Sequence, residues 1–302
     1  MTDNTMLVVG SVAFDTIRNP FGIYERVLGG AATYACLAAS YHAPTQLVAV
    51  VGRDFDDASV NLLRRHRVDL QGLEVAEGRT FFWDGEYSDD LNRRQTLAVE
   101  LNVFEHFRPK LPESYRDSRH VLLANIDPSL QLEVLEQVRD PQLVVTDTMN
   151  IWIENKRDVL LQVLARTDIL ILNEEEGRQL TGAYPIMQVA RQLRALGPRI
   201  VVVKQGEYGA LLYTDDTMFM VPAYPLEQIK DPTGAGDSFA GAFLAHLVTQ
   251  DAQDIATLKH AVLYGSALAS FCVEEVSVQR LTELDAHAIE TRINRLVQLA
   301  TI

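Results

Sequence analysis

The sequence predicts a doubly wound α/β fold, and three observations carry the prediction. Short, wholly apolar runs recur along the chain, which marks strands buried on both faces. Helical patterns separate most of them, so the connections are crossovers and the sheet is mostly parallel. No Gly-, Ser- or Pro-rich linker divides the 302 residues, so one compact domain accounts for the length.

Met6 to Gly10 (MLVVG) reads as the first buried strand, and Gly29 to Tyr41 as a small-residue helix that packs closely on its neighbours. Leu47 to Val51 is a second strand and Asp57 to His66 a helix. Val121 to Ala124, Leu143 to Thr146, Ile169 to Leu172 and Ile200 to Val203 are four further strands, with helices such as Ser129 to Val138 and Ile151 to Ala165 between them. Arg79 to Asp84 and Gln95 to Asn102 break the rhythm, because no helix follows either strand. They form either a small lid or an ordinary surface hairpin. Gly209 to Tyr213 and Met218 to Val221 read as antiparallel strands at a sheet edge. Helices at Ser238 to Val248, Thr257 to Phe271 and Asp285 to Leu299 complete the chain.

The bulk numbers exclude several classes of function. A net charge of −14 argues against nucleic acid, which calls for a basic face. It also means that an anionic substrate must be held by local donors. Cys36 and Cys272 match no CxxC pattern, so neither a disulfide framework nor a zinc site is expected. No apolar run reaches the roughly 18 residues that span a membrane. The start MTDNTMLVVG lacks the form of a secretory signal, and a cytoplasmic location is the expectation. The seven histidines show no HExxH spacing, and none is assigned to a metal.

The strongest motif is Asp231-Pro232-Thr233-Gly234-Ala235-Gly236-Asp237, directly before an apolar helix. Gly234 and Gly236 let the backbone approach a ligand closely. Successive N–H groups at a helix start form an anion site, helped by the helix dipole. A carboxylate beside such a site is electrostatically odd unless it accepts a proton, which makes Asp237 a candidate general base. No Walker A lysine follows the glycines, and no GxGxxG follows a strand.

The run DPTGAGDSFAGAF resembles the C-terminal signature of the ribokinase-like (PfkB) family of carbohydrate and nucleoside kinases. The resemblance covers the chain from about Met6 to Leu299. It implies a three-layer α/β/α sandwich over residues 1–302, with lid strands inserted at about 12–27 and 79–104. It implies ATP as donor, Gly234, Ala235 and Gly236 as the anion hole, and Asp237 as the base that deprotonates a hydroxyl of a small metabolite.

Asn173-Glu174-Glu175-Glu176 after the strand ILIL resembles the family's Asn-x-x-Glu element. That assigns Asn173 to the nucleotide and Glu176 to Mg²⁺ through water, although an acidic helix start reads the same. Lys204-Gln205-Gly206-Glu207-Tyr208-Gly209 resembles the loop under the nucleotide phosphates, placing Lys204, Gly206 and Gly209 there. Lys204 either meets a phosphate or is a surface lysine at a strand end. The helix Ala261 to Val273 resembles the one beside the adenine pocket, which puts Ala267 and Ser270 with Thr233 in the ATP set, although most of its residues read as core. Gly29-Gly30 with Asp15 resembles the substrate end, and Thr33 lies on the helix that this pair opens. Family members often hold K⁺ beside the anion hole, which marks Asp231 as its candidate ligand. Asp147-Thr148-Met149-Asn150 and Asn125-Ile126-Asp127 lie at strand ends and either line the site or form local turns.

Tyr34 departs from the family, whose sugar kinases usually carry Asn there; a tyrosine could stack on a ring. Trp83 in the lid segment either meets the ligand or fills the lid's own core. The acceptor is therefore a sugar or sugar-like metabolite, with a nucleoside as the alternative. A non-catalytic sensor on the same fold is the rival from another class. The lid's edges suit a homodimer.

Overall fold

The computed structural model describes residues 4–89, 91 and 94–300. The strands are β1 (Met6–Val9), β2 (Ala13–Asn19), β3 (Gly22–Gly29), β4 (Thr45–Gly52), β5 (Val68–Ala76), β6 (Phe81–Tyr87), β7 (Arg94–Glu100), β8 (His120–Leu123), β9 (Leu143–Asp147), β10 (Ile169–Asn173), β11 (Ile200–Lys204), β12 (Ala210–Tyr213) and β13 (Met218–Val221). The helices are α1 (Ala31–Ala39), α2 (Asp57–Arg65), α3 (Pro128–Gln137), α4 (Asn150–Asn155), α5 (Arg157–Leu164), α6 (Glu174–Thr181), α7 (Ile186–Arg194), α8 (Ala235–Gln250), α9 (Ile255–Cys272) and α10 (Ala286–Ala300).

A nine-stranded sheet runs in the order β13-β12-β11-β10-β9-β8-β1-β4-β5. From β11 to β5 the neighbours pair in parallel, and β12 and β13 add an antiparallel edge. Alternate residues of its buried strands feed three apolar clusters, one of them around Leu170, Leu172, Val201 and Val203. Leu7, Val9, Val121 and Leu123 meet Leu130, Val134 and Val163 on one face. Met6, Val8, Leu122 and Val145 meet Ala35, Phe243 and Leu268 of α1, α8 and α9 on the other. A side chain at Gly241 would overlap the Ala35 carbonyl, so its absence lets α8 lie directly on α1.

The second sheet has four strands in the order β3-β2-β6-β7. The segments expected at Arg79 and Gln95 are therefore joined to β2 and β3, and are not an isolated surface hairpin. Register pairs Asp15 with Trp83, and Tyr87 with Arg94. The two-residue period puts Asp15, Ile17, Trp83 and Tyr87 on one face of this sheet.

Three boundaries differ from expectation. The helix expected from Ile151 to Ala165 breaks at Lys156, whose φ of −133° and ψ of 27° leave the helical region and cap both α4 and α5. Strand β5 was not foreseen, because its exposed and buried positions mix at the sheet edge and leave no apolar run. Helix α8 begins at Ala235, ahead of the expected Ser238, which places Asp237 inside its first turn. Both cysteines are free and buried. No helix among the described residues is long and apolar enough to cross a membrane.

Candidate active site

The loop before α8 is fixed by Asp231. This residue is 0% exposed. Its Oδ1 accepts the Thr233 N–H at 2.9 Å, and its Oδ2 accepts the Ser277 N–H at 2.9 Å. Two amides on one buried carboxylate make a rigid turn. The Thr233 hydroxyl lies 2.9 Å from the Tyr87 hydroxyl, which ties the loop to β6. Gly234 then adopts φ 76°, a left-handed conformation natural to glycine, and a side chain there would overlap the Tyr34 ring. The Ala235 N–H turns back to the Pro232 carbonyl at 3.3 Å, and the Ser238 N–H bonds the Gly234 carbonyl at 2.8 Å. The Gly236 and Asp237 amides lie between these, in the first turn, where a helix offers its N–H groups outward.

Three strand ends converge on that turn. Asp147 closes β9, Lys204 closes β11 and Asn173 closes β10. The Lys204 Nζ lies 3.4 Å from Asp147 Oδ2. The same ammonium would be 2.8 Å from a Cβ at Gly236, so it stands against the first turn of α8 and is not a surface lysine. Burial opposes its charge, but the Asp147, Glu176 and Asp237 carboxylates hold its pKa above the ordinary value. Burial pushes Asp237 up to about 6, and the Asp147 carboxylate adds to that; Lys204 and Arg94 pull the other way. Burial also raises Asp147.

Asn173 and Glu176 form a capping box. The Asn173 side chain accepts the Glu176 N–H at 2.8 Å, and Glu176 Oε2 accepts the Asn173 N–H at 2.8 Å. The helix-start reading of this motif is thus realised. Burial still pushes Glu176 up to about 7, despite the nearby Lys204 charge.

At the other end, Asp15 is 4% exposed and its carboxylate occupies the space a Gly29 side chain would need. Burial pushes it up to about 8, helped by Asp231 and Asp237 and opposed by Arg94. Gly30 caps α1 with φ 94°. Thr33 and Tyr34 are buried, and their hydroxyls have no hydrogen-bond partner among the described residues. The Tyr34 ring is 1% exposed and packed against Gly234, so it offers no face for stacking. Trp83 Nε1 donates to Thr96 Oγ1 at 3.2 Å, and the Arg94 guanidinium lies 5.6 Å from the Trp83 ring centre. Trp83 packs beside Ile17, Tyr87 and Val276, which joins the small sheet to the loop after α9.

The loop, the strand ends and the Asp15 end are near enough for their charges to interact. Gly206 and Gly209 shape the turn between β11 and β12, closed by a 2.8 Å bond from the Gln205 N–H to the Gly209 carbonyl. Two of the expected nucleotide contacts are buried. Ala267 is fully buried, and the Ser270 hydroxyl donates to the Ala267 carbonyl at 2.7 Å and accepts from Arg292 at 3.1 Å. Neither presents a surface to a base, because this stretch of α9 faces the core. Arg94 was missed: it lies in a polar stretch with no pattern. Asp147 stood in the sequence as either a site or a turn residue, and its strand-end position was the available signal.

Among proteins of known activity, the chain is 33% identical over 246 residues to a cytidine kinase of Thermococcus kodakarensis, covering 80% of this chain and 87% of that one. It is 28% identical over 297 residues to a nucleoside kinase of Methanothermobacter thermautotrophicus, covering 92% of each. Its fold superposes on a ribokinase II of E. coli, solved with ATP and Mg²⁺ and described as putative there, with a TM-score of 0.80 at 22% identity over 96% of this chain and 99% of that one. The pattern of the pfkB family carbohydrate kinases matches residues 5–284, and with that coverage the chain belongs to this family of kinases.

Proposed function

We propose that the protein transfers the γ-phosphoryl group of ATP to a hydroxyl of a nucleoside of the cytidine type. The observation that carries the transfer is the Asp237 carboxylate in the first turn of α8, beside the Lys204 ammonium. A carboxylate raised to about 6 by burial is ionised at neutral pH and close enough to it to accept a proton efficiently. In this reading Asp237 takes the proton of the acceptor hydroxyl as its oxygen attacks the γ-phosphorus in line. The amides of the Gly234–Gly236 turn and Lys204 stabilise charge on the phosphoryl oxygens. Asp15 and the Gly29-Gly30 backbone hold the acceptor.

Glu176 fits a magnesium role, since a bound cation relieves the burial cost that raises its pKa. Glu176 and Asn173 would hold Mg²⁺ through water, and the ion would supply positive charge to offset that of the ATP phosphates. Asp231 would be the side chain to hold K⁺ beside the loop, since each of its oxygens accepts one amide and keeps a lone pair. The four-stranded sheet would act as the lid over the acceptor, excluding water. Exposed Leu97 and Val99 on its edge strand β7 suit a homodimer.

The nucleoside acceptor is supported by the likeness to the cytidine and nucleoside kinases and by the Trp83–Arg94 pair beside the cleft. A plain sugar is the second reading, favoured by the carboxylate of Asp15 against Gly29. ADP release with cytidine, uridine, adenosine, ribose, fructose and inositol separates them. Cytidine should exceed ribose in kcat/KM by about 100-fold or more. Ribose or fructose as the best acceptor overturns the nucleoside reading.

A further inference from the structure

Away from this site, a cavity of about 450 Å³ opens between α8, α9 and α10. His246 and Gln250 line it from the end of α8, His260 and Tyr264 from α9, and Glu290 and Asn294 from α10. The kinase reaction uses none of these residues. Tyr264 stacks on the His246 ring at 4.6 Å, and His42 packs edge-on against Tyr264 at 4.0 Å. His246 is 8% exposed, and its Nδ1 has no hydrogen-bond partner among the described residues. Burial, with His42 and His260 beside it, pushes His246 down to about 4, so the ring is neutral at pH 7. The imidazoles are not grouped to hold a metal. Glu290 is the one formally charged residue in the lining, and it is negative.

These features select a ligand. An anion is repelled by Glu290 and by the chain's net charge of −14. His246 is buried behind Tyr264, so the half-buried Tyr264 ring and the exposed His260 ring offer the ring surface. The Gln250 and Asn294 amides can each donate and accept, and Glu290 accepts only. We propose that this cavity is a second ligand site, taking a neutral planar heterocycle with an exocyclic amino group, such as an aminopyrimidine or aminopurine nucleoside. The ring lies along Tyr264 and His260, and the amino group donates to Glu290. The cavity lies at the C-terminal end of α8, whose N-terminus carries Asp237. Its occupant therefore does not compete with the kinase substrates.

Calorimetry on the full chain with cytidine, adenosine and uridine tests this. Glu290→Gln and Asn294→Leu alter exposed residues, and Asp15→Ala reports on the acceptor site separately. An equivalent of cytidine or adenosine should bind and persist in Asp15→Ala. It should weaken about tenfold or more in Glu290→Gln, and uridine, which lacks the amino group, should bind it about tenfold more weakly. The proposal is overturned if no equivalent survives in Asp15→Ala. It is equally overturned if the surviving equivalent ignores both Glu290→Gln and Asn294→Leu, or takes uridine as tightly as cytidine.

Discussion

The Tyr87 hydroxyl lies 2.9 Å from the Thr233 hydroxyl, so the small sheet is bonded to the turn that opens α8. The bond spans 146 residues of sequence. Tyr87→Phe keeps the ring and deletes the tie. We expect a stability loss of about 1 kcal/mol, read by thermal melting, and a fall in kcat/KM of roughly 3- to 30-fold. Unaltered kinetics would deny the tie any part in turnover.

Asp237→Asn is nearly isosteric and removes the proton acceptor. Turnover should fall by about 10²–10⁴ while ATP binding, followed by calorimetry, stays within a few fold. Near-normal turnover would remove Asp237 from the base role.

With Asp237 as the proposed base, which acts when ionised, the pH profile should carry an acid limb near pH 6, where burial places its pKa. Lys204 lowers that pKa. Lys204→Met therefore moves the limb to higher pH, on top of any loss in rate. A limb that stays or moves down contradicts the coupling between the two.

Asp15 links stability to pH in the opposite sense from a salt-bridged aspartate. Its folded pKa, about 8, lies above the ordinary value, so the folded state holds the proton more tightly. Its contribution is full below about pH 4 and declines as pH rises towards 8. Asp15→Asn lacks the decline. Relative to wild type it should gain on the order of 2 kcal/mol between pH 5 and pH 8 in denaturant titrations, while acceptor KM worsens. A gap that stays constant with pH would refute this.

The buried sheet was legible because strands such as Leu7–Val9 and Ile169–Leu172 are apolar on both faces. The turn that opens α8 was legible because Gly234 and Asp237 are close in sequence and local geometry dictates their arrangement. Other features depend on long-range pairing and were not. Arg94 comes near Trp83 and Asp15 only because β7 pairs with β6, and Lys204 meets Asp147 only because β10 lies between β9 and β11. Tyr34 looked like a ligand contact by its motif position, but the bare backbone of Gly234 admits its ring into the core. The buried faces of Ala267 and Ser270 were hidden for a related reason: α9 is apolar all round, and its sequence does not say which side packs inward.

The bare flank of Gly241 against Ala35 has a consequence for how this scaffold can diversify. In the proposed reading, donor and acceptor are each held at the mouth of one of two rods, α8 and α1, which press together backbone to backbone. The reach from nucleophile to phosphorus is thereby set like the gap of a caliper, by main-chain contact and not by side chains. The small sheet can then be re-tailored to admit new alcohols while the caliper keeps its setting.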